Sequence, residues 1–314
     1  MSTSPSSLPL RWFALPVVTV AIWSGNVVVT KLAATAVHPS VIAFERWALA
    51  LLLLTPFLAW PVWRLRREIR PYLAKLAVLG LFGMAAYQGL AYYAAETTSA
   101  TKMGFVVSLV PLLTMALSSL LLAEAPTLGM VAGGGLSLVG LMLLLGQGDP
   151  LAPFSGGLVP GDGMMLIACV AYSGYGVLLR RWHMPLPAWP SLYLQIAFAT
   201  LFLLPGWLLA PAAPHSATAL GLILYAGIPT SILAPYLWMQ AIRLLGPSRT
   251  SLFINLSPVM TAAIAMAVLG ESLHPYHLAG GALVLAGVVL AQRFGRRTVR
   301  PVAVTKAGAA EAAE

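Results

Sequence analysis

The stretch SLVPLLTMALSSLLLAEAPTLGMVAGGGLSLVGLML, residues Ser108–Leu143, is written again 147 positions later, without a gap, as NLSPVMTAAIAMAVLGESLHPYHLAGGALVLAGVVL, residues Asn255–Leu290. Pro111 falls on Pro258, Thr114 on Thr261, Glu124 on Glu271, Gly133 and Gly134 on Gly280 and Gly281, and Gly140 on Gly287. Gly80 meets Gly227 at the same offset. Nearer the N-terminus the offset becomes 149, and AIWSGNVVVTK (Ala21–Lys31) lies over VAYSGYGVLLR (Val170–Arg180). Trp23 then meets Tyr172, Ser24 and Gly25 meet Ser173 and Gly174, and Lys31 meets Arg180. A proline, an acid and three glycines repeating in one frame mark a duplicated chain.

The duplicated unit is built for lipid. Of 314 residues, 59% are hydrophobic and 9% charged, with a mean hydropathy of +0.86. Soluble domains carry about 25% charged residues. The net charge of +9 lies between apolar runs rather than in a patch, which points to a bilayer and away from nucleic acid. A single cysteine, Cys169 within an apolar run, excludes a disulfide framework and a cysteine metal cluster. The start, MSTSPSSLPLRW, lacks the pattern of a cleaved signal, so the first apolar run is expected to remain as a span.

A membrane helix needs about 20 apolar residues. Ten stretches qualify, near 13–32, 40–62, 73–93, 101–122, 127–146, 162–180, 190–210, 218–240, 249–269 and 276–293. With a cytoplasmic N-terminus, the inner segments receive 15 of the 18 basic residues, among them Arg64, Arg66, Arg67 and Arg70. The outer segments receive only Lys31 and Lys102, and Arg46 lies within a span. This is the segregation that orients membrane proteins, and a nine-span arrangement would scramble it. The expected fold is therefore all-α and integral to the membrane, with ten transmembrane helices as two inverted five-helix repeats around a central cavity. Its parts are a cytoplasmic N-terminus (1–12), a first repeat (13–146), an external linker (147–161), a second repeat (162–293) and a cytoplasmic basic, alanine-rich tail (294–314).

Five spans per repeat is an odd number, so the second copy enters the membrane from the opposite face. Inverted repeats are the usual architecture of secondary transporters, because two similar halves can exchange conformations and open alternate sides. The duplicated unit with WSGN (Trp23–Asn26), the prolines of SLVP and NLSP, the LLLAE and AVLGE segments and a glycine-rich last span resembles the drug/metabolite transporter superfamily, in particular its ten-span EamA-type exporters. The resemblance covers residues from about 13 to 293 and is closest to the amino-acid exporters of bacterial inner membranes. It implies efflux of aromatic and other neutral amino acids through a central cavity.

Such folds bind cargo near the midplane, beside interrupted helices. Pro111 and Pro258 fall mid-span in the fourth and ninth spans, and Pro235 in the eighth, where each removes a backbone bond and kinks the helix. Trp23 and Asn26 share a face of the first span, as their counterparts Tyr172 and Tyr175 share one of the sixth. Ser108 and Asn255 each stand three residues before a proline; Tyr87, Gln88 and Tyr92 lie in the third span, and Tyr236, Trp238 and Met239 in the eighth. These twelve residues are the candidate lining. Individually, each polar group could instead bridge two helices. No acid sits at the centre of a span and no central basic cluster is present. Amides, hydroxyls and ring faces suit a small zwitterionic or amphipathic molecule, such as an amino acid or a neutral drug. No cofactor or metal is expected.

Glu45 and Arg46 are adjacent, about 8 Å below the outer end of the second span. They read as part of an external charge network that orders the span or an outer gate, or, for Glu45, as a proton-coupling carboxylate. The glycines spaced seven apart, Gly133 with Gly140 and Gly280 with Gly287, leave smooth stripes that allow close backbone approach. These stripes suit packing within a monomer or a homodimer. PGDG (Pro160–Gly163) lacks the second intramembrane aspartate of an aspartyl protease, and HPYH (His274–His277) sits in a short outer loop. An intramembrane enzyme or a channel is therefore the weaker reading.

Overall fold

The computed structural model describes residues 10–33, 36–152, 157–211, 216–269 and 274–294. Glu271 and the tail from 295 onward lie outside the described residues. The elements are helical throughout. They are α1 (Leu10–Ala33), α2 (Pro39–Arg64), α3 (Arg66–Ala94), α4 (Ala100–Ser108, continuing past Leu109 as Val110–Leu122) and α5 (Leu128–Leu145). There follow α6 (Pro160–Trp182), α7 (Ala188–Leu208), α8 (Ala217–Leu245), α9 (Pro247–Ser251, a 3-10 turn Leu252–Leu256, and Ser257–Leu269) and α10 (Pro275–Phe294). Nine helices among the described residues are long and apolar enough to cross a bilayer; α9, assembled from three shorter pieces, is not among them.

Short polar residues start these helices. The backbone N–H of Lys102 donates to Ser99 Oγ, that of Met130 to Thr127 Oγ1 and that of Ala219 to Ser216 Oγ. Each satisfies a donor that the first turn leaves orphaned. The exterior is apolar: Leu52, Phe57, Trp60, Leu120 and Leu201 are all more than half exposed. Water would disfavour such a surface, and acyl chains would not.

The two repeats are related through close helix crossings. A Cβ added at Gly133 would strike the carbonyl oxygen of Gly287, and one at Gly140 would lie 2.7 Å from that of Gly280. The early glycine of α5 thus meets the late glycine of α10, and the late one meets the early one, so the two helices run antiparallel. Because α5 and α10 are equivalent by sequence, the second repeat is inverted with respect to the first. The contact is also reciprocal, as a twofold relation demands. Elsewhere α2 packs on α7, α1 packs on α8 as α6 packs on α3, and α1 packs on α9 as α6 packs on α4.

The repeated SG motif has a matching task in each half. Ser24 Oγ donates to the Ser257 carbonyl oxygen at 3.2 Å, and Ser173 Oγ to that of Val110 at 3.3 Å. Residues 110 and 257 are equivalent, so each serine ties its helix to the break just ahead of Pro111 or Pro258. Both repeats also contain a π turn at the same place, Leu81–Ala86 in α3 and Pro229–Leu233 in α8. In α8, Thr230 Oγ1 donates to the Tyr225 carbonyl at 3.0 Å and Ser231 Oγ to that of Ala226 at 2.7 Å, satisfying acceptors near the widened turn.

The repeats differ in tightness. Residues 101–107 of α4 are all half-buried, whereas the equivalent 248–254 of α9 are all buried except Arg249.

Candidate functional site

Five rings from both repeats meet where α1, α3, α6 and α8 converge. Tyr172 is their hub. Its ring centroid lies 4.8 Å from Tyr87, 5.9 Å from Tyr175, 6.1 Å from Trp23 and 6.3 Å from Trp238, while Trp23 and Trp238 are 5.1 Å apart. Local sequence puts them there. Trp23 and Tyr172 precede the serines that pin α1 and α6, and Tyr87 and Trp238 come after the two π turns. A π turn inserts a residue and so rotates the helix beyond it by about 100° relative to an uninterrupted α-helix. Gly83, inside the first π turn, lies so close to the Tyr175 ring that a Cβ there would be 2.5 Å from it.

The cluster carries polar atoms without partners. The hydroxyls of Tyr172 and Tyr175 are buried and make no hydrogen bond, nor does Oδ1 of Asn26, on the face of α1 it shares with Trp23. The Asn26 amide nitrogen donates to Thr30 Oγ1 at 3.4 Å. Buried polar atoms are rarely left unpaired, so this cluster of rings and unpaired oxygens is suited to bind a partly polar molecule.

Other candidates lie elsewhere. Ser108 donates to its own helix at Phe105, and Asn255 Nδ2 donates to Ser137 Oγ on α5 at 3.0 Å. Tyr236 stacks on Trp189 at 4.1 Å, a ring pair separate from the five contacts of the hub. Gln88 is half-buried and makes no hydrogen bond or ring contact among the described residues. Met239 is fully buried and faces Gln195, whose Nε2 is 3.9 Å from its sulfur. Pro111, Pro235 and Pro258 each stand in the first turn of a helical piece that comes after a break or a π turn.

Glu45 and Arg46 part company in the structure. Glu45 Oε1 accepts from Trp207 Nε1 at 3.2 Å toward the outside of the bundle. Arg46 points inward and has 0% exposure. Its Nε donates to Ser231 Oγ at 2.9 Å, its Nη1 to Tyr92 Oη at 3.0 Å, and its guanidinium carbon lies 5.2 Å from the Trp47 ring centroid. Sequence reasoning misses Ser231, Trp207 and Gln195; only the serine, two residues after a proline in an interrupted span, carried a signal.

Two small cavities lie toward the C-terminal end of α3. One of about 110 Å³ is a cleft between α2, α3 and α7, bounded by Ser40, Gly89, Tyr93 and Gly206. The other, about 20 Å³, lies between α1, α2 and α3 against Thr30, Ile42, Tyr92 and Glu96. Two residues of the second cavity's wall are hydrogen-bond partners of Asn26 and Arg46, namely Thr30 and Tyr92. Among the described residues no cluster of three or more potential metal ligands occurs.

Comparison with known proteins agrees with this architecture. The model of the EamA-like transporter family matches twice, at residues 10–146 and 159–292, and the chain belongs to that family. It is similar to the transporter YyaM of Bacillus subtilis, 28% identical over 257 residues that span 81% of this chain and 84% of that one. It is also similar to a Streptantibioticus cattleyicolor protein named a probable terminal-alkyne amino-acid exporter, 26% identical over 241 residues, 74% of this chain and 78% of that one. A solved crystal structure shares the fold, with a TM-score of 0.72 at 21% identity, covering 91% of this chain and 99% of the other. The family consists of membrane transporters of the drug/metabolite superfamily, not enzymes, and this chain is a multi-pass membrane transporter.

Proposed function

We propose that this transporter has ten spans with both termini in the cytoplasm and exports small amphipathic metabolites, foremost aromatic and other neutral amino acids, across a bacterial inner membrane. The observation that carries this reading is the ring cluster Trp23–Tyr87–Tyr172–Tyr175–Trp238. It draws on both repeats, lies at their interface and presents unpaired oxygens beside apolar faces. A ring-bearing side chain gains contact with those faces, and an ammonium group gains acceptors and a cation–π partner.

The unequal repeats support alternating access. The buried 248–254 segment closes the side that the basic residues assign to the cytoplasm, while 101–107 leaves the outer half looser. Arg180 Nη1 donates to the Arg243 carbonyl at 3.1 Å, Arg181 to that of Leu121, and Gln292 Nε2 to that of Arg249 at 2.9 Å, latching the inner ends of α4, α6, α8, α9 and α10. Exchange of the two packings between the repeats would open the inner side and close the outer.

Counterflow in proteoliposomes tests the reading. Vesicles loaded with unlabelled phenylalanine should accumulate labelled phenylalanine, and Trp23→Ala and Tyr172→Ala should abolish this while the protein remains folded. Absence of counterflow with any neutral amino acid would refute the cargo class, and a screen of neutral drugs would then be the next step.

A further inference from the structure

Arg46 is a charge that the fold does not require. The equivalence of Gly80 and Gly227 locates its counterpart. A Cβ at Gly227 would meet the carbonyl oxygen of Arg46 at 3.1 Å, and a Cβ at Gly80 would strike that of Gln195. Residues 46 and 195 are therefore the same position in the two repeats, at the 149-residue offset already seen in α1 and α6. Both are fully buried against the π turn of the opposite repeat. A neutral amide fills this place in one half, so packing asks only for a long polar side chain. A guanidinium inside a membrane protein costs several kcal/mol unless it is compensated.

The compensation present is incomplete. A guanidinium offers five N–H donors. Two are used, by Ser231 and Tyr92, and among the described residues Arg46 has no carboxylate partner, the ion pair there being Lys102 with Asp162. Ser231 and Tyr92 are neutral hydroxyls where a bidentate acid would fit the fork better. Along α1 the order from the ring cluster outward is Trp23, Asn26, Thr30, and along α3 it is Tyr87, Tyr92. Arg46 joins α3 at the outer of these steps, and the 20 Å³ cavity against Thr30 and Tyr92 lies just beyond.

We propose that Arg46 binds the carboxylate of the cargo, with Tyr92 and Ser231 as the groups it leaves, so that an amphipathic monocarboxylate lies with its ring among Trp23, Tyr87 and Tyr172 and its acid at the outer edge. The proposal rests on the ring cluster being the cargo site and adds the feature that selects the cargo. It implies discrimination by charge: removing the carboxylate from the ligand, or the guanidinium from the protein, weakens binding about tenfold to a hundredfold, the usual span for a charge-assisted hydrogen-bonded pair.

The test uses the purified full-length protein and three probes: L-phenylalanine, 3-phenylpropionate and phenylalaninamide. Thermal stabilisation in detergent reads binding, and competition against labelled phenylalanine counterflow reads transport. The two carboxylates should stabilise the wild type and compete, and the amide should need at least about tenfold more. In Arg46→Gln, which installs the residue of the other repeat, that preference should vanish with amide binding unchanged, and Arg46→Lys should restore part of it. An amide equal to phenylalanine in the wild type, no stabilisation by either carboxylate, or equal weakening of all three probes in Arg46→Gln would overturn the assignment. Should Arg46→Gln not fold, the wild-type ratio of amide to carboxylate decides alone. Carboxylate-selective stabilisation without counterflow would sink the exporter reading and leave Arg46 standing; counterflow without carboxylate preference would do the reverse.

Discussion

Replacing Gly140 by alanine tests the inverted architecture at its closest point. The added Cβ would lie 2.7 Å from the Gly280 carbonyl oxygen and 2.8 Å from both the Leu283 Cβ and the Val284 backbone nitrogen. Ordinary contact begins at 3.4 Å, so α5 and α10 must separate by about 0.7 Å at the crossing. The obstacles are backbone atoms and a Cβ, and no side-chain rotation relieves them. A radial gap of that size forfeits about a quarter to a half of the dispersion energy of the surrounding contacts, and overpacking of this kind costs about 1–3 kcal/mol. Alanine gains back up to about 1 kcal/mol in helix propensity, so a net loss of about 0–3 kcal/mol is expected. Gly135, on the same helix, is the control: a Cβ added there would have nothing within 4 Å, and Gly135→Ala should be neutral or stabilising. Gly280→Ala should match Gly140→Ala, because each Cβ meets the other glycine's carbonyl. The double variant should lose clearly less than the sum, since the first displacement already makes room for the second methyl. Unfolding of the reconstituted protein by a denaturing detergent, monitored by tryptophan fluorescence, gives these values. Equal effects of Gly135→Ala and Gly140→Ala, or strict additivity of the pair, would refute the reciprocal crossing.

The site itself yields three more expected outcomes. Tyr236→Ala should leave counterflow within about twofold of wild type, because Tyr236 stacks on Trp189 outside the hub; a loss as deep as that of Tyr172→Ala would place the site elsewhere. Glu45→Gln should keep any response of transport to an imposed pH gradient, since the carboxylate accepts a bond from Trp207 at the periphery rather than facing the ring cluster; loss of the response would make it the coupling acid. Weakening the inner latch with Arg181→Ala should speed labelling of a cysteine at Ser248 by a maleimide applied from the cytoplasmic side, and unchanged labelling would argue against the latch.

The order of the helices is legible because apolar runs of about 20 residues are separated by short polar connectors, and lipid permits little else; the ends are less so, since the third helix begins at Arg66 rather than 73 and the eighth runs on to Leu245 rather than 240. The duplication is legible where glycine and proline set the backbone, since those residues are hard to replace. The ring hub is half legible. Helical periodicity puts Trp23, Tyr172 and Tyr175 on the correct faces of α1 and α6, which are regular. It gives no sign of the partners that Tyr236, Ser108 and Asn255 take, which are Trp189, the Phe105 carbonyl and Ser137. Nothing in LFGMAA announces a widened turn, whereas Pro229 at the head of PTSIL marks an interruption by removing a backbone donor.

Depth along a span is likewise easier to read than direction around it. Counting residues puts Glu45 and Arg46 at nearly one level, but adjacent side chains point about 100° apart, and only packing decides which turns to the core. The environment of Gln195 gives no sequence signal of equivalence with Arg46: IAFERWALA over SLYLQIAFA shares only two alanines. The two glycines on the facing helices expose the match, each pressed against the carbonyl of its partner. An inverted duplication thereby supplies an internal control. Whatever both halves retain at an equivalent position answers to the architecture, here burial and length. Whatever one half alone carries answers to a demand that the architecture does not make, and at this position that is a positive charge.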